Sequence, residues 1–154
     1  VSLQSASGEK EDARCRDKIA LVPENIYRAR TCAMCFFFLF SKLQKPLVLG
    51  PGYQTLDPIG NTTTIEAPIR PDVRNATKME IICEVLTPNE CKQWTDCCEA
   101  ADQCCQRQQQ SLPVDKTSCP RTWDGFSCWD DTAPGVTVYT QCPSYMEHSI
   151  TSSK

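Results

Sequence analysis

The sequence is poor in histidine, in excess charge of either sign and in long apolar runs. His148 is the one histidine among 154 residues, which leaves little for histidine-centred catalysis or for a mixed Cys/His zinc site. A net charge of -3 offers no basic stripe that could neutralise the phosphates of a nucleic acid. We therefore expect no enzymatic activity, no bound cofactor or metal, and no nucleic-acid partner.

The most apolar run, residues 33–40, has about half the length that a helix needs to span a bilayer. Lys42 and Lys45 follow it, so the run does not continue into a membrane segment. We expect this run to be a buried strand or the tail of a signal sequence.

Cysteine, by contrast, is abundant, with twelve in the chain. Three of them precede residue 83, and the other nine fall within residues 83–154. Such density is typical of secreted domains whose cores are too small to be stable without disulfide bonds. Two Asn-x-Thr sequons predict glycosylation at Asn61 and Asn75, and they fit the same secretory route.

The first half of the chain, residues 1–80, is predicted to form an irregular N-terminal arm and linker. Residues 1–30 show no sustained apolar period, so we expect a poorly ordered arm there. Prolines and glycines interrupt residues 46–71 too often for a long helix.

A helix is predicted over residues 88–109. Thr87 and Glu90 match a capping box, and Pro88 suits the first helical position. Steps of three and four residues then place one set of side chains on a single helical face: Cys91, Trp94, Cys98, Ala101 and Cys105.

Two short strands are predicted beyond this helix, over residues 122–129 and 136–142, where aromatic and β-branched residues are frequent. Residues 131–135 between them have turn chemistry, and Pro134-Gly135 suits a type II turn. The sequence thus predicts a small disulfide-rich α+β fold, in which a helix is bridged to short antiparallel strands and preceded by a poorly ordered arm.

Four short motifs follow one another within residues 119–145. They are Cys-Pro-Arg-Thr-Trp-Asp-Gly (119–125), Cys-Trp-Asp-Asp-Thr (128–132), Pro-Gly (134–135) and Cys-Pro-Ser-Tyr (142–145). This pattern resembles the extracellular hormone-binding domain of class B (secretin-family) G-protein-coupled receptors. The wording is closest to the calcitonin-receptor-like branch or to an invertebrate relative such as a diuretic-hormone or pigment-dispersing-factor receptor. The resemblance implies a hormone-receptor ectodomain over residues 81–148, truncated at its carboxyl-terminal end.

The resemblance also implies a disulfide. Six cysteines of that family pair first with third, second with fifth and fourth with sixth. Here Cys105, or Cys104, would be the first cysteine and Cys128 the third, so that the implied bridge is Cys105–Cys128. Cys119 and Cys142 would be the second and the fourth.

Individual roles follow from the resemblance as well. Asp124 would be a structural aspartate that orders its loop, Trp129 would pack beside it, and Gly135 and Pro143 would be structural. The groove for the carboxyl-terminal end of a peptide would be lined by Trp123, Phe126, Tyr145 and Met146. The implied partner is a secreted peptide hormone or neuropeptide at the extracellular side of the plasma membrane, and a G protein would be reached only through an absent transmembrane region.

The pattern departs from the family after Tyr145, because no cysteine follows that could serve as the fifth or the sixth. We therefore expect a fragment or a truncated splice form in which the partners of Cys119 and Cys142 are unknown. A second hypothesis is a secreted cysteine-rich decoy binder or toxin-like protein that acts without a membrane domain. A third is a metal or redox site at Cys32-Ala33-Met34-Cys35, against which we favour structural bridges or unpaired cysteines.

Overall fold

The computed structural model describes residues 13–60, 64–112 and 116–146; Asn61 and His148 lie outside these ranges. In chain order the elements are β1 (Arg14–Arg16), β2 (Leu21–Pro23), α1 (Glu24–Phe40), β3 (Leu47–Leu49), β4 (Leu56–Pro58), α2 (Ala76–Cys83), α3 (Pro88–Gln110), β5 (Thr122–Trp123) and β6 (Cys128–Trp129). The strands form three antiparallel pairs, β1–β2, β3–β4 and β5–β6. The predicted small disulfide-rich α+β fold is confirmed.

The long helix α3 begins where its local signals predict. The Thr87 hydroxyl accepts a hydrogen bond from the Glu90 amide at 3.2 Å, and the Glu90 carboxylate accepts one from the Thr87 amide at 2.8 Å. This reciprocal capping box satisfies amides that have no partner inside the helix. The predicted apolar face is buried from Trp94 to Cys105, while Cys91, one turn earlier, is only half-buried.

The helix α1 contradicts the expected irregular arm. Residues 14–16 and 21–23 form strands, residues 24–40 form a helix and residues 47–58 hold a third strand pair, so the interpretation of residues 1–80 as irregular is wrong there. The run 33–40 is the end of α1 and not a strand. A short apolar run does not distinguish a buried strand from a buried helix, and here most of its side chains are buried against α3.

Five disulfides join these elements within the described residues. Two of them fix α1 to α3. Cys32 and Cys35 lie one turn apart on α1, and they are bonded to the adjacent residues Cys98 and Cys97 of α3. Both sulfurs of the Cys-x-x-Cys motif are therefore used in buried structural bridges, and neither is free to bind a metal or to exchange thiols. The bridges are Cys15–Cys105, Cys32–Cys98, Cys35–Cys97, Cys83–Cys91 and Cys104–Cys128.

The predicted strand pair is also corrected. The chain reverses inside the first predicted strand, where Asp124 donates its amide to the Ser127 carbonyl at 3.1 Å and Gly125 has φ of 108°. Both strands of the hairpin β5–β6 therefore lie within residues 122–129. Residues 136–142 form no strand, because their apolar side chains face solvent and meet no partner strand. The predicted turn at Pro134-Gly135 is present, with a hydrogen bond from the Val136 amide to the Ala133 carbonyl and with φ of 78° at Gly135.

The hairpin β5–β6 lies beside strand β1, and both contact α3. Trp123 of β5 forms a parallel bridge with Asp17, directly after β1, and Cys119 pairs with Thr132 in an antiparallel bridge. Among the described residues, none of the helices is both long enough and apolar enough to cross a bilayer.

Candidate functional site

One carboxylate organises the loop between β5 and β6. The Asp124 Oδ1 atom accepts hydrogen bonds from the amides of Phe126 and Ser127, both at 2.8 Å. Its Oδ2 atom accepts a third from the indole Nε1 of Trp129 at 2.7 Å. Because both oxygens are used, the carboxylate holds the loop backbone and the neighbouring tryptophan together.

Beside this loop lies a cleft of about 380 Å³, which we name the α3 cleft. One wall is α3, the opposite wall is the hairpin β5–β6, and the segment 140–145 closes one side. Its lining residues are Ala100, Gln103, Cys104, Arg107, Trp123, Phe126, Ser127, Cys128, Thr140, Gln141, Pro143 and Tyr145.

The two walls of the cleft are joined covalently, because Cys104 of α3 is bonded to Cys128 of β6. The implied bridge Cys105–Cys128 is therefore wrong by one residue, and the alternative first cysteine, Cys104, is the partner. Adjacent residues of a helix point about 100° apart, so only one of the two can face β6. Cys105 faces β1 instead and pairs with Cys15.

Three of the four aromatic and apolar residues proposed for the groove line the α3 cleft. Trp123 is buried, and among the described residues no hydrogen-bond partner meets its indole Nε1. Phe126 is half-buried, and its carbonyl accepts a hydrogen bond from the hydroxyl of Tyr145. Met146 packs against the core of the domain.

The hydroxyl of Tyr145 is held in its protonated form. Burial is the main cause that raises its pKa above the usual value of 10, and the negative charge of Asp124 raises it further. At neutral pH this side chain is therefore a hydrogen-bond donor that ties the segment 144–146 to the loop of Phe126.

The rim of the cleft carries polar groups from α3 that sequence analysis missed. The guanidinium of Arg107 pairs with Asp130, and both side chains are more than half exposed, at 57% and 59%. Such an exposed ion pair contributes little to stability, so Arg107 is able to exchange its partner for a ligand. Gln103 lies one turn before Arg107 on α3, and both residues flank Cys104. Residues four apart lie on the same helical face, so this spacing indicates both as cleft residues once Cys104 is known to face the hairpin.

The remaining predicted residues lie around the cleft. Gly135 sits in the exposed turn, and Pro143 accepts the hydrogen bond that starts the short 3-10 turn at Ser144–Met146. Cys119 and Cys142 are exposed thiols. The sequon residue Asn75 is exposed at the amino terminus of α2, where its side-chain oxygen accepts a hydrogen bond from the Lys78 amide at 3.2 Å.

Comparison with known proteins gives one matching family. Residues 116–153 match the model of the hormone receptor domain. No solved structure is significantly similar to the chain.

Several curated receptors are similar to part of the chain. The G-protein coupled receptor seb-2 of Caenorhabditis elegans is 47% identical over 53 residues, which are 33% of this chain and 11% of that protein. The calcitonin receptor of Mus musculus is 53% identical over 36 residues, 23% of this chain and 7% of the receptor. The growth hormone-releasing hormone receptor of Sus scrofa is 36% identical over 52 residues, 34% of this chain and 10% of the receptor. The chain thus spans about a tenth of the length of these relatives.

The match covers the hairpin β5–β6, the Asp124 loop and one side of the α3 cleft. A hormone receptor domain is a ligand-binding domain and not an enzyme. Residues 116–153 thus carry a hormone receptor domain sequence, and the resemblance to the extracellular hormone-binding domain of class B G-protein-coupled receptors is confirmed for this part of the chain.

Proposed function

We propose that this chain captures a secreted peptide hormone in the α3 cleft, as part of the ectodomain of a class B G-protein-coupled receptor. The observation that carries the proposal is the coincidence of two features. The segment that matches the hormone receptor domain contributes Trp123, Phe126 and Tyr145, and all three line one cleft against α3.

The chemistry of the cleft suits one face of an amphipathic peptide. Aromatic rings provide an apolar surface, as in other grooves that accept a peptide helix or its end. Gln103 and Arg107 at the rim provide hydrogen-bond donors. Donors in such positions favour a peptide that presents carbonyl or carboxamide oxygens, for example at an amidated carboxyl terminus.

The proposed domain extends over residues 81–148, because the bridge Cys104–Cys128 makes α3 one wall of the cleft. Its place would be the extracellular side of the plasma membrane, where disulfides persist and peptide hormones arrive. Coupling to a G protein would depend on segments outside the hormone receptor domain.

A binding experiment with two matched aromatic variants tests this function. The oxidised protein is exposed to immobilised calcitonin, calcitonin gene-related peptide and growth hormone-releasing hormone, each as the carboxyl-terminal amide, and affinities are measured by surface plasmon resonance. Phe126→Ala removes a ring that lines the cleft, whereas Tyr139→Ala removes a ring that is 89% exposed outside it. We expect the first variant to weaken capture by about tenfold or more, as loss of an aromatic anchor does, and the second to leave it unchanged.

Two outcomes would contradict the proposal. In one, correctly oxidised protein binds none of the three peptides at micromolar concentration. In the other, a peptide binds, but the variants Phe126→Ala and Tyr139→Ala bind it as tightly as the unmodified chain.

A further inference from the structure

The end of α1 lies directly behind the loop that forms one wall of the α3 cleft. The ring of Phe38 is 5.0 Å from the ring of Phe126, measured between centroids, with an angle of 43° between the planes. A Cβ atom on Gly125 would lie only 2.9 Å from the Phe38 ring. The loop therefore has a glycine where Phe38 approaches most closely, and Phe126 rests on the same ring.

Trp123, another residue of the hairpin wall, is supported by Asp17, directly after strand β1. Asp17 bridges Trp123 through the backbone, and its carboxylate is buried in a bidentate pair with Arg30 of α1. The two contacts measure 2.5 Å from Nε to Oδ2 and 3.0 Å from Nη2 to Oδ1. Because a bidentate pair fixes both position and orientation, the backbone beside Trp123 is held against α1.

Two adjacent cysteines of α3 hold the hairpin β5–β6 and strand β1. Cys104 is bonded to β6 of the hairpin, and Cys105 is bonded to Cys15 of β1. One turn further, the Gln108 side chain accepts a hydrogen bond from the Arg16 amide at 2.7 Å and donates one to the Arg16 carbonyl at 2.9 Å. Strand β1 and the hairpin are thus fixed side by side on the same turn of α3.

We infer that residues 13–40, which we name the amino-terminal unit, position the hairpin wall of the α3 cleft for peptide capture, and that Phe38 is the main positioning residue. This inference rests on the proposed function. The amino-terminal unit lies outside the segment that matches the hormone receptor domain, so the shape of the cleft in this chain depends on residues that the family match does not cover.

A pair of substitutions tests the inference. Phe38→Ala removes the ring that supports Phe126, and the control Tyr139→Ala removes a ring that is 89% exposed outside the α3 cleft. The first readout is hydrogen exchange at the amides of Phe126 and Ser127, which needs no ligand. The second is affinity for the peptide that the unmodified chain binds best among the three amidated hormones. Thermal unfolding of the oxidised protein serves to compare global stability.

For Phe38→Ala we expect exchange at these two amides about three- to tenfold faster and affinity about three- to tenfold lower, which are the changes that loss of one aromatic pair produces. Tyr139→Ala should change neither the exchange rates nor the affinity. If Phe38→Ala does not fold, Phe38→Leu is measured in its place, because leucine keeps the apolar contact with Gly125 and loses the ring contact with Phe126.

The inference is overturned if the folded variant has unchanged exchange at both amides, or if exchange rises while affinity for a bound peptide stays the same. A protein that binds no peptide overturns the proposed function instead, and faster exchange in Phe38→Ala would then still support the positioning of the loop by the amino-terminal unit.

Discussion

At the scale of single residues, Asp124 has the largest structural consequence in the hairpin. Its carboxylate accepts three hydrogen bonds within five residues of sequence, two from backbone amides and one from Trp129. Hydrogen bonds to an ionised acceptor are stronger than neutral ones, and an unpaired buried donor carries the full cost of desolvation. The loop therefore depends on this one side chain for its conformation.

Replacing Asp124 by alanine should destabilise the oxidised protein by about 3 kcal/mol, because three donors lose a charged acceptor at once. Asp130→Ala is the matched control, since it removes an exposed carboxylate a few residues away whose ion pair contributes less than about 1 kcal/mol. Unfolding in guanidinium chloride, with the disulfides intact, measures both changes. Equal losses in the two variants would show that the Asp124 network does not hold the loop.

At the scale of elements, α3 is held at its start by a cap and an ion pair that share Glu90. Burial alone would raise the pKa of this carboxyl group. The hydrogen bond from Lys45, the Thr87 amide and the charge of Lys45 outweigh it, so the pKa lies below the ordinary value of 4.5. The folded protein thus binds a proton at Glu90 less readily than the unfolded chain does.

This shift predicts how the stability of the protein depends on pH. A carboxyl group with a lowered pKa contributes its full stabilisation above its unfolded pKa and loses it as the pH falls through the lower folded value. Glu90→Gln keeps an acceptor for the Thr87 amide but removes the charge that pairs with Lys45, so it should cost about 1 kcal/mol at pH 7 and progressively less as the pH falls below 4.5. Urea unfolding at several pH values measures the difference, with Glu99→Gln on the exposed part of the same helix as control. A cost that stays constant from pH 7 to pH 3 would contradict the assigned role of the charge.

The two long helices differ in how far the sequence predicts them, and the reason is physical. The start of α3 depends on Thr87, Pro88 and Glu90, which act on one another within four residues. Helix α1 has Pro23 at its cap position with no side-chain cap, and most of its buried residues meet α3 far away in sequence. Its stability comes from long-range packing and disulfides, which a local pattern cannot indicate.

The candidate site divides in the same way. Trp123, Phe126 and Tyr145 were predicted through a motif that is contiguous in sequence, and the structure brings these three residues to one cleft. Their contact with a peptide stays a prediction. The contribution of α3 depends on which of two adjacent cysteines faces the hairpin, and that of Phe38 depends on the long-range packing of α1, so neither could be predicted from a local pattern.

At the scale of the whole molecule, the choice between Cys104 and Cys105 decides how the two halves of the chain are joined. With Cys104 bonded to Cys128, Cys105 is left to bind Cys15, and β1 is fixed beside β5. With the opposite pairing, neither bond would form without rotation of this turn of α3. The position of β1 beside the hairpin thus depends on a single residue of register on α3, whereas α1 is fixed to α3 by two other bridges.

Single serine variants distinguish these two pairings. In Cys105→Ser the orphaned thiol should be Cys15, and in Cys104→Ser it should be Cys128. Each protein is denatured without reduction, alkylated and digested, and the labelled peptides are identified by mass spectrometry. The unmodified chain provides the background from the free thiols Cys119 and Cys142. Each variant should show one additional labelled cysteine per chain.

If Cys105→Ser instead releases Cys128, the bridge first implied by the family resemblance is correct. Strand β1 would then not be fixed beside the hairpin, and the amino-terminal unit would be joined to α3 without a bridge that aligns β1 with β5.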